Sequence, residues 1–458
     1  MHRLIGGLFL IYRSYSCSAT SMASRAMSQF LHGSKSNFLP TNFDADHARG
    51  ATFVLGNEAA DADSIISSLT YAKLKQWETG NSVRKPIFPI VSIKRGDIHL
   101  RRDVELLLRE IDLTLSDLIC LDECNMANFA NGCNLDLVLV DHNVLSKEVS
   151  KLLGPSAQHE SIVKEILDHH EDCDAYKTAT VRDIAYDSNT KSPLVASTCT
   201  LIAERFLQPL NTDALTLDIA TLLIAVIAVD SLNMEPTQKR GTPRDRIALE
   251  SLQLLYPTVQ RDRLYNLLMN AKTDPLFWES LSARDAIRID FKSFVYGTKN
   301  TDTSRDSVQS ERCGSFGIAS VLQSVDSFLM KKDLNDELSS YLIPTIASAS
   351  PLPVSVPVPV SVLADMLVIM SLELLPEVRR SLLFFCTSES RMNSLSSYLA
   401  ITGTDILLED RSNIPGVPSV RTVNGQNVYM LAYNQGNTAM SRKQIAPILL
   451  DFYSSEIS

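Results

Sequence analysis

Three clusters of acidic and imidazole side chains carry the chemistry that this sequence offers. Asp61 and Asp63 lie two residues apart in the first cluster, Asp141 and His142 open the second, and residues 168–170 (Asp-His-His) form the third. Oxygen-rich sites with some imidazole suit Mg²⁺ or Mn²⁺, and one carboxylate can bridge two such cations about 3.5–4 Å apart. Because that spacing serves phosphoryl displacement, the clusters predict a site for two divalent metal ions.

A fourth candidate ligand, Asp230, follows the most apolar stretch of the chain, residues 214–229. This stretch is interrupted by Asp218 and is shorter than the ~20 residues that span a bilayer, so it predicts a buried helix. A lone carboxylate at a helix end, or a lone Asp-x-Asp, is more often an ordinary solvated group. The metal site is favoured here because all three clusters of acidic and imidazole side chains follow an apolar run.

The apolar runs before the clusters predict buried strands. They cover residues 52–55, 135–140 and 163–167, and residues 64–77 and 102–111 between them have the spacing of amphipathic helices. This alternation predicts an α/β fold with a doubly wound, mainly parallel sheet. Ligands bind beyond the carboxyl ends of such strands, so the three clusters should meet at one edge of the sheet.

The length of 458 residues predicts at least two domains. A polar segment at 236–262 is interrupted by proline and glycine, which places the domain boundary near 260. The first domain is then residues 44–260, and a smaller α/β domain is residues 261–458. Prolines at short intervals in residues 349–362 predict an extended surface insertion, because proline interrupts helices and central strands.

The first 43 residues contain no Asp or Glu but several basic residues and serines. This composition is typical of a mitochondrial transit peptide. A secretory signal competes, because residues 4–12 are apolar, and a disordered tail or a translation start at Met22 or Met27 stays open. The expected location is the cytoplasm, or the mitochondrion if residues 1–43 act as a transit peptide.

The bulk composition narrows the classes of partner and of site. A protein with a formal net charge of −10 lacks the overall positive field that is typical of nucleic-acid-binding proteins. The charge therefore argues against a nucleic-acid partner. We also expect no membrane partner, and a monomer is the favoured oligomeric state. The eight cysteines form no Cys-x-x-Cys pair, which argues against zinc ribbons and thioredoxin-like sites and indicates reduced thiols.

Together these motifs resemble those of the DHH phosphoesterase superfamily. Residues 168–170 match its name-giving motif, residues 56–64 (GNEAADADS) its first motif and residues 140–143 (VDHN) its second, and Asp230 stands where the fourth supplies an Asp. Residues 441–443 (SRK) resemble the phosphate-binding signature of the second domain, DHHA2. That domain occurs in the branch of family II pyrophosphatases, exopolyphosphatases and prune-like proteins. The resemblance covers residues 50–458.

Two positions refine the resemblance within this branch. Family II pyrophosphatases carry His where this chain has Asn57, and the Asn form is similar to fungal exopolyphosphatases and to prune. Prune-like proteins often replace the second His of the DHH motif, whereas His170 is present here. The resemblance is therefore closest to eukaryotic exopolyphosphatases of the yeast type. The GGGH motif of the nuclease branches is absent from the sequence.

The resemblance implies a role for each matching residue, in an active site between the two domains. It implies five metal ligands, which are Asp61, Asp63, Asp141, His169 and Asp230. It implies four groups that contact the substrate, which are His170, Lys292, Arg442 and Lys443. Asp141 would bridge the two ions, while Asp168 and His142 would orient the ligands.

The implied activity is that of an exopolyphosphatase, which releases orthophosphate from the ends of inorganic polyphosphate or another short phosphoanhydride substrate by a two-metal mechanism. An amide at Asn57 in place of imidazole favours Mg²⁺, with Mn²⁺ as the other candidate. Three alternatives stay open: an inorganic pyrophosphatase, a prune-like cyclic-nucleotide phosphodiesterase on the same site, and a non-catalytic prune-like interaction protein.

Overall fold

The chain divides into two compact units, residues 1–272 and 273–458. The boundary predicted near 260 lies one helix before this division. The computed structural model describes residues 26–38, 50–80, 85–124, 126, 135–154, 159–238, 240–297, 314–343, 364–374, 377–411 and 413–457. The predicted insertion at 349–362 lies outside the described residues. The active site that the resemblance implies between the domains stays a prediction.

The first unit is built on a six-stranded sheet. Its strands are β1 (Ala51–Leu55), β2 (Ile87–Val91), β3 (Ile119–Cys120), β4 (Leu135–Val140), β5 (Val163–Asp168) and β6 (Val181–Ile184). Their order across the sheet is β3-β2-β1-β4-β5-β6, and all neighbours are parallel. The direction of winding changes between β1 and β4, so the predicted doubly wound parallel sheet is confirmed. Strand β6 was not predicted.

Apolar cores cover both faces of this sheet, which explains why the sequences of its strands are continuous apolar runs. Val54 and Val138 belong to the core on one face, whereas Phe53 and Leu137, next to them in sequence, belong to the core on the other. The helices are α1 (Ala26–Phe38), α2 (Ala62–Thr79), α3 (Arg102–Arg109), α4 (Lys147–Leu153), α5 (His159–Ile162), α6 (Thr198–Phe206), α7 (Leu217–Asp230), α8 (Pro243–Leu255) and α9 (Arg261–Thr273). A short hairpin joins β7 (Tyr186–Asp187) to β8 (Ser192–Pro193).

Helix α7 is the buried helix that the apolar stretch predicts. Thr216 caps its first turn by accepting a hydrogen bond from the Ile219 N–H. Every residue from Ile219 to Val229 except Thr221 is buried, and the helix ends at Asp230. Within the described part of the chain, no helix combines the length and the apolarity needed to cross a membrane.

Helix α1 corrects part of the prediction for residues 1–43. Met27, Phe30 and Leu31 are buried in the core of the first unit, so residues 26–38 are neither a disordered tail nor separate from the folded unit. Apolar side chains spaced three to four residues apart form one face of a helix, and that face packs here. Residues 1–25 and 39–49 lie outside the described residues.

The second unit contains a mixed sheet. Its strands are β9 (Phe291–Tyr296), β10 (Gly314–Val321), β11 (Met366–Glu373), β12 (Arg379–Cys386), β13 (Leu408–Asp410), β14 (Val420–Val423) and β15 (Gln426–Gln435). The order is β13-β15-β12-β11-β10-β9, with β14 paired to β15. Only β10 and β11 run parallel; the other described pairs are antiparallel.

Helices cover both faces of the second sheet. They are α10 (Pro275–Ser280), α11 (Ala283–Ile289), α12 (Val325–Leu329), α13 (Leu334–Leu342), α14 (Glu389–Thr402) and α15 (Arg442–Ile457). Ala286 and Phe328 pack into the core on one face, and Leu395 and Leu449 pack into the core on the other. The expected smaller α/β domain is thus confirmed as a mixed sheet between two helical layers.

Candidate active site

The first cluster lies in the loop that joins β1 to α2. Gly56 follows the strand, and a Cβ there would lie 2.2 Å from Ser64 Oγ, so only glycine permits this close approach. Ser64 Oγ accepts a hydrogen bond of 2.6 Å from the Asn57 N–H, and Asp61 Oδ1 accepts one of 3.0 Å from the Ser64 N–H. Asp61 thereby caps α2, which holds the loop at the carboxyl end of β1.

Asn57 ties this loop to the second cluster. Its Oδ1 accepts hydrogen bonds from the backbone N–H groups of Ala59 at 2.9 Å and Ala60 at 3.0 Å. Its Nδ2 donates to Asp141 Oδ2 at 2.7 Å. The side-chain oxygen of Asn57 is therefore occupied by backbone amides, and the residue acts here as a brace for the loop and for Asp141.

Asp141 lies directly after β4, at the switch point of the sheet. It adopts a left-handed conformation with φ of 63°, which Asp tolerates better than most residues. Asp141 Oδ1 lies 3.4 Å from His169 Nε2 and 3.7 Å from His170 Nδ1. Burial, reinforced by the charge of Asp63, raises the pKa of Asp141 well above its usual range. A bound cation would stabilise the ionised form instead.

Asp63 lies in the first turn of α2, and its carboxylate meets the N-terminus of α6. Asp63 Oδ1 accepts hydrogen bonds from Ser197 Oγ at 2.6 Å and from the Cys199 N–H at 3.0 Å. Ser67 Oγ also donates to this oxygen. Asp63 Oδ2 accepts from the Thr198 N–H at 2.8 Å. The amides at the start of a helix favour a carboxylate, so Asp63 is held in one orientation.

Asp63, Asp141 and His169 form a convergent set of three side chains. The His169 Nδ1–H donates to the Val195 carbonyl at 3.0 Å, which turns Nε2 toward Asp141 and leaves Nε2 3.9 Å from Asp63 Oδ2. Burial alone would lower the pKa of His169, but Asp141 and Asp63 raise it to about 10. The site therefore attracts positive charge at this position, which a divalent cation would provide in place of the proton.

His170 is oriented by Asp168 rather than by the convergent set. Its Nδ1–H donates to Asp168 Oδ1 at 2.8 Å, which leaves Nε2 available for another partner. Asp168 Oδ2 accepts from Asn143 Nδ2 at 2.6 Å. Although burial opposes ionisation, His170 and its neighbours hold the pKa of Asp168 at about 2. His142 donates its Nδ1–H to the Val140 carbonyl at 2.9 Å, away from the convergent set.

Asp61 and Asp230 contribute further negative charge to the same region. Burial and the charge of Asp63 raise the pKa of Asp230 well above its usual range, and Asp61 adds to the effect. Asp230 Oδ2 is buried, and among the described residues it has no hydrogen-bond partner. A buried carboxylate oxygen without a donor is costly, and a cation would satisfy it.

This set of donors suits divalent cations. Asp141, His169 and His170 each offer a ligand atom, and these three atoms lie within 4.8 Å of one another. His170 Nδ1 is bonded to Asp168 Oδ1, whereas Asp63 Oδ2 lies 3.9 Å from His169 Nε2. Several carboxylates with one or two imidazoles fit Mg²⁺ or Mn²⁺.

The predicted cations of the second unit also lie near one another. Arg442, the first residue of α15, donates from Nη1 to the Asp290 carbonyl at 2.9 Å and from Nη2 to Asp290 Oδ1 at 2.8 Å. Although burial opposes it, the charges of Arg442 and Lys292 hold the pKa of Asp290 below its ordinary value. Lys443 follows Arg442 in the chain. Their contact with substrate stays a prediction.

The segment 195–199 was missed in the sequence, although it contacts both Asp63 and His169. Two of its contacts with Asp63 use backbone N–H groups, which leave no side-chain signal. A Ser before an apolar run is a typical helix start, and this signal could have placed the N-terminus of α6 at Ser197. It would not have identified Asp63 as the partner.

Comparison with known proteins assigns a family to part of the chain. Residues 51–227 match the family model described as "DHH family, N-terminal domain". Residues 51–227 of the chain thus carry a DHH-family N-terminal domain. The matched residues begin with β1, and they include four of the five predicted ligands and both histidines of the predicted DHH motif.

Known relatives match between about half and nine-tenths of this chain. "Exopolyphosphatase PRUNE1" of Mus musculus is 29% identical over 407 residues, which cover 88% of this chain and 75% of the relative. The "Manganese-dependent inorganic pyrophosphatase" of Methanothrix thermoacetophila is 26% identical over 247 residues, covering 53% of this chain and 66% of the relative. These relatives support the branch of exopolyphosphatases, prune and family II pyrophosphatases.

A solved structure shares the fold. The crystal structure of a Methanococcus jannaschii protein assigned as a family II inorganic pyrophosphatase has a TM-score of 0.51 and 18% identity. The superposition covers 88% of this chain and 99% of the other. At this identity the likeness shows the fold alone.

Proposed function

We propose that this DHH protein is an exopolyphosphatase, which hydrolyses the terminal phosphoanhydride bond of inorganic polyphosphate and releases orthophosphate. One observation carries the proposal. His169 Nε2 lies 3.4 Å from Asp141 Oδ1 and 3.9 Å from Asp63 Oδ2, and the other ring nitrogen is fixed by a backbone carbonyl. Carboxylates and a tautomer-fixed imidazole that converge in this way are typical of a catalytic divalent-metal centre.

The relatives support the same substrate class. The mouse relative is named an exopolyphosphatase and the archaeal relative an inorganic pyrophosphatase, and both names denote hydrolysis of phosphoanhydride bonds. The two retained histidines and Asp230 argue against a non-catalytic interaction protein. The cyclic-nucleotide alternative gains no support from these names.

The proposed metal ligands are Asp61, Asp63, Asp141, His169 and Asp230. Two divalent cations held there would lower the pKa of a bound water and polarise the phosphoryl group. Asp63 and His169 keep their orientation because the start of α6 and the Val195 carbonyl hold them. Asn57 donates a hydrogen bond to Asp141 Oδ2, and the other carboxylate oxygen, Oδ1, faces His169.

His170 would contact the substrate. Asp168 fixes its Nδ1–H, so its Nε2 is directed elsewhere and is available to a phosphoryl oxygen. Lys292, Arg442 and Lys443 would neutralise the charge that develops on the transferred phosphoryl group, as cationic side chains do in phosphoryl transfer. Arg442 would exchange or share its bonds to Asp290 when it binds substrate.

The finer assignments belong to the same proposal. Mg²⁺ is the proposed metal and Mn²⁺ the alternative, because Asn57 replaces an imidazole with an amide. The protein would act as a monomer without nucleic-acid or membrane partners, in the cytoplasm, or in mitochondria if residues upstream of α1 direct it there.

The test is an assay of the purified full chain with Mg²⁺ on long polyphosphate, tripolyphosphate and pyrophosphate. We expect orthophosphate release from the polyphosphates, and a loss of at least about 100-fold in Asp141→Asn, because one oxygen is exchanged for a group that repels cations. Asp136→Asn is the matched control, since Asp136 lies in β4, the strand before Asp141, and pairs with Lys85. Activity of Asp141→Asn equal to that of the control would refute the proposal.

Pyrophosphatase activity is the second candidate, since the archaeal relative carries that name and the solved structure shares the fold. The chain-length dependence of kcat/KM separates the two. An exopolyphosphatase prefers chains of three or more phosphates. If pyrophosphate is the best substrate, the polyphosphate assignment is wrong while the metal centre stands.

A further inference from the structure

The segment from Val195 to Thr200 is held between two buried carboxylates. On one side it contacts the metal centre, because the Val195 carbonyl accepts from His169 and the amides of Thr198 and Cys199 donate to Asp63. Residues 196 and 200 make their contacts with a different group. The partner of both is Asp245.

Asp245 is completely buried and accepts hydrogen bonds with both oxygens. The Ala196 N–H lies 3.0 Å from each oxygen, and Thr200 Oγ1 donates to Oδ1 at 2.6 Å. The Thr242 N–H donates to Oδ2 at 2.7 Å, and this bond belongs to the capping box of α8. A single carboxylate thus joins the start of α8 to the segment that orients two predicted metal ligands.

We propose that Asp245 is a positioning residue for the metal centre, which sets the metal affinity by holding residues 195–200 against Asp63 and His169. This inference rests on the proposed function, because it takes Asp63 and His169 as ligands. The carboxylate of Asp245 accepts its hydrogen bonds from Ala196, Thr200 and Thr242, none of which is a predicted ligand. It acts through backbone groups that hold the ligand side chains in the orientation needed to bind metal.

The two roles of Asp245 can be separated with its neighbours. Thr200→Val removes the hydroxyl that donates to Asp245 and keeps the shape of the side chain, so it weakens the contact with the segment alone. Thr242→Ala removes the side chain that accepts from the Asp245 N–H and so weakens the cap of α8. The Thr242 N–H that donates to Asp245 is retained in this variant.

The experiment measures Mn²⁺ binding to the metal-free full chain, by the loss of the free-ion electron paramagnetic resonance signal and without substrate. The variants are Asp245→Asn, Thr200→Val, Thr242→Ala and Asp63→Ala, each with a thermal unfolding midpoint. We expect the dissociation constant to rise about 10- to 100-fold in Asp245→Asn and by a smaller factor in Thr200→Val. We expect Thr242→Ala to lower the midpoint but leave the dissociation constant unchanged.

Two outcomes would overturn the inference. In the first, Asp63→Ala weakens Mn²⁺ binding but Asp245→Asn and Thr200→Val do not. In the second, Thr242→Ala weakens binding as much as Thr200→Val, which would make the effect one of general stability. If Asp63→Ala itself leaves Mn²⁺ binding unchanged, the metal centre of the proposed function fails, and that result is distinct from the other two. Thr200→Val keeps the test decisive if Asp245→Asn does not fold.

Discussion

Asp168 and His170 form a charge-assisted hydrogen bond of 2.8 Å between Oδ1 and Nδ1–H, two residues apart in the chain. The same oxygen accepts the backbone N–H groups of His169 and His170, at 2.7 and 3.2 Å. The first residue of the DHH motif therefore orients the two that follow. In this structure its oxygens are engaged by donors rather than directed at the other carboxylates.

The first prediction concerns this bond. Asp168→Asn should keep the fold but lower kcat about 10- to 100-fold, because an amide cannot hold His170 with Nδ1 protonated as a carboxylate does. Steady-state kinetics with polyphosphate test it. Asp172→Asn, two residues beyond His170 and exposed, is the matched control. Full activity of Asp168→Asn would show that the orientation of His170 is irrelevant to turnover.

The second prediction concerns the choice of metal. Since Asn57 Oδ1 is occupied by two backbone amides, Asn57 would offer neither an imidazole nor an unengaged oxygen to an ion beside Asp61. Such a site lacks the imidazole that favours later transition metals. We expect Mg²⁺ to support activity at least as well as Mn²⁺ or Co²⁺. Initial rates across the three metals check this, and a large preference for Mn²⁺ or Co²⁺ would contradict it.

The third prediction concerns the pH dependence of stability. Asp218 is 4% exposed, and burial raises its pKa from 3.8 to about 6, with Asp112 adding to the shift. Because the folded protein favours the protonated form, the stabilisation is complete below about pH 4 and is lost as the pH rises through 6. Asp218→Asn should therefore be more stable than wild type at pH 7.5, by about 1–3 kcal/mol.

Urea unfolding at pH 4 and pH 7.5 measures this difference. The exposed Asp213 provides the control substitution, Asp213→Asn, which should change stability little at either pH. An Asp218→Asn variant that is less stable than wild type at pH 7.5 would mean that the backbone hydrogen bond from Met27 outweighs the cost of burying the ionised carboxylate.

The fourth prediction concerns helix α1. Leu31 is 1% exposed in the core of the first unit, so Leu31→Ala should lower the free energy of unfolding by about 2–4 kcal/mol. Gln29→Ala, on the exposed side of the same helix, should change it by less than about 0.5 kcal/mol. Equal effects of the two substitutions on urea unfolding would show that α1 does not pack on the unit in solution.

Much of the first unit could be predicted from short-range patterns. Apolar runs such as 135–140 marked the central strands, and polar clusters directly after them marked the carboxyl edge, because parallel strands share that edge. Helix α7 was equally clear, since almost all of its residues are buried. Helix α1 was misjudged because its basic, serine-rich surroundings dominate the local composition, and burial depends on distant partners.

The supporting contacts could not be predicted, because they join residues far apart through the backbone. Asp63 and Thr198 are 135 positions apart, and the donor is an N–H group that every residue except proline carries. Asp245 is separated from Ala196 by 49 positions and resembles an ordinary capping residue after Thr242-Pro243. Such contacts follow from the tertiary fold rather than from residue type.

The most direct test of the metal centre is the anomalous scattering of Mn²⁺ in crystals of the full chain grown or soaked with that ion. We expect one peak among Asp63 Oδ2, Asp141 Oδ1 and His169 Nε2, and a second about 3.5–4 Å away on the side of Asp61. Peaks elsewhere, or no peak at millimolar Mn²⁺ in crystals that diffract well, would contradict the metal-dependent mechanism.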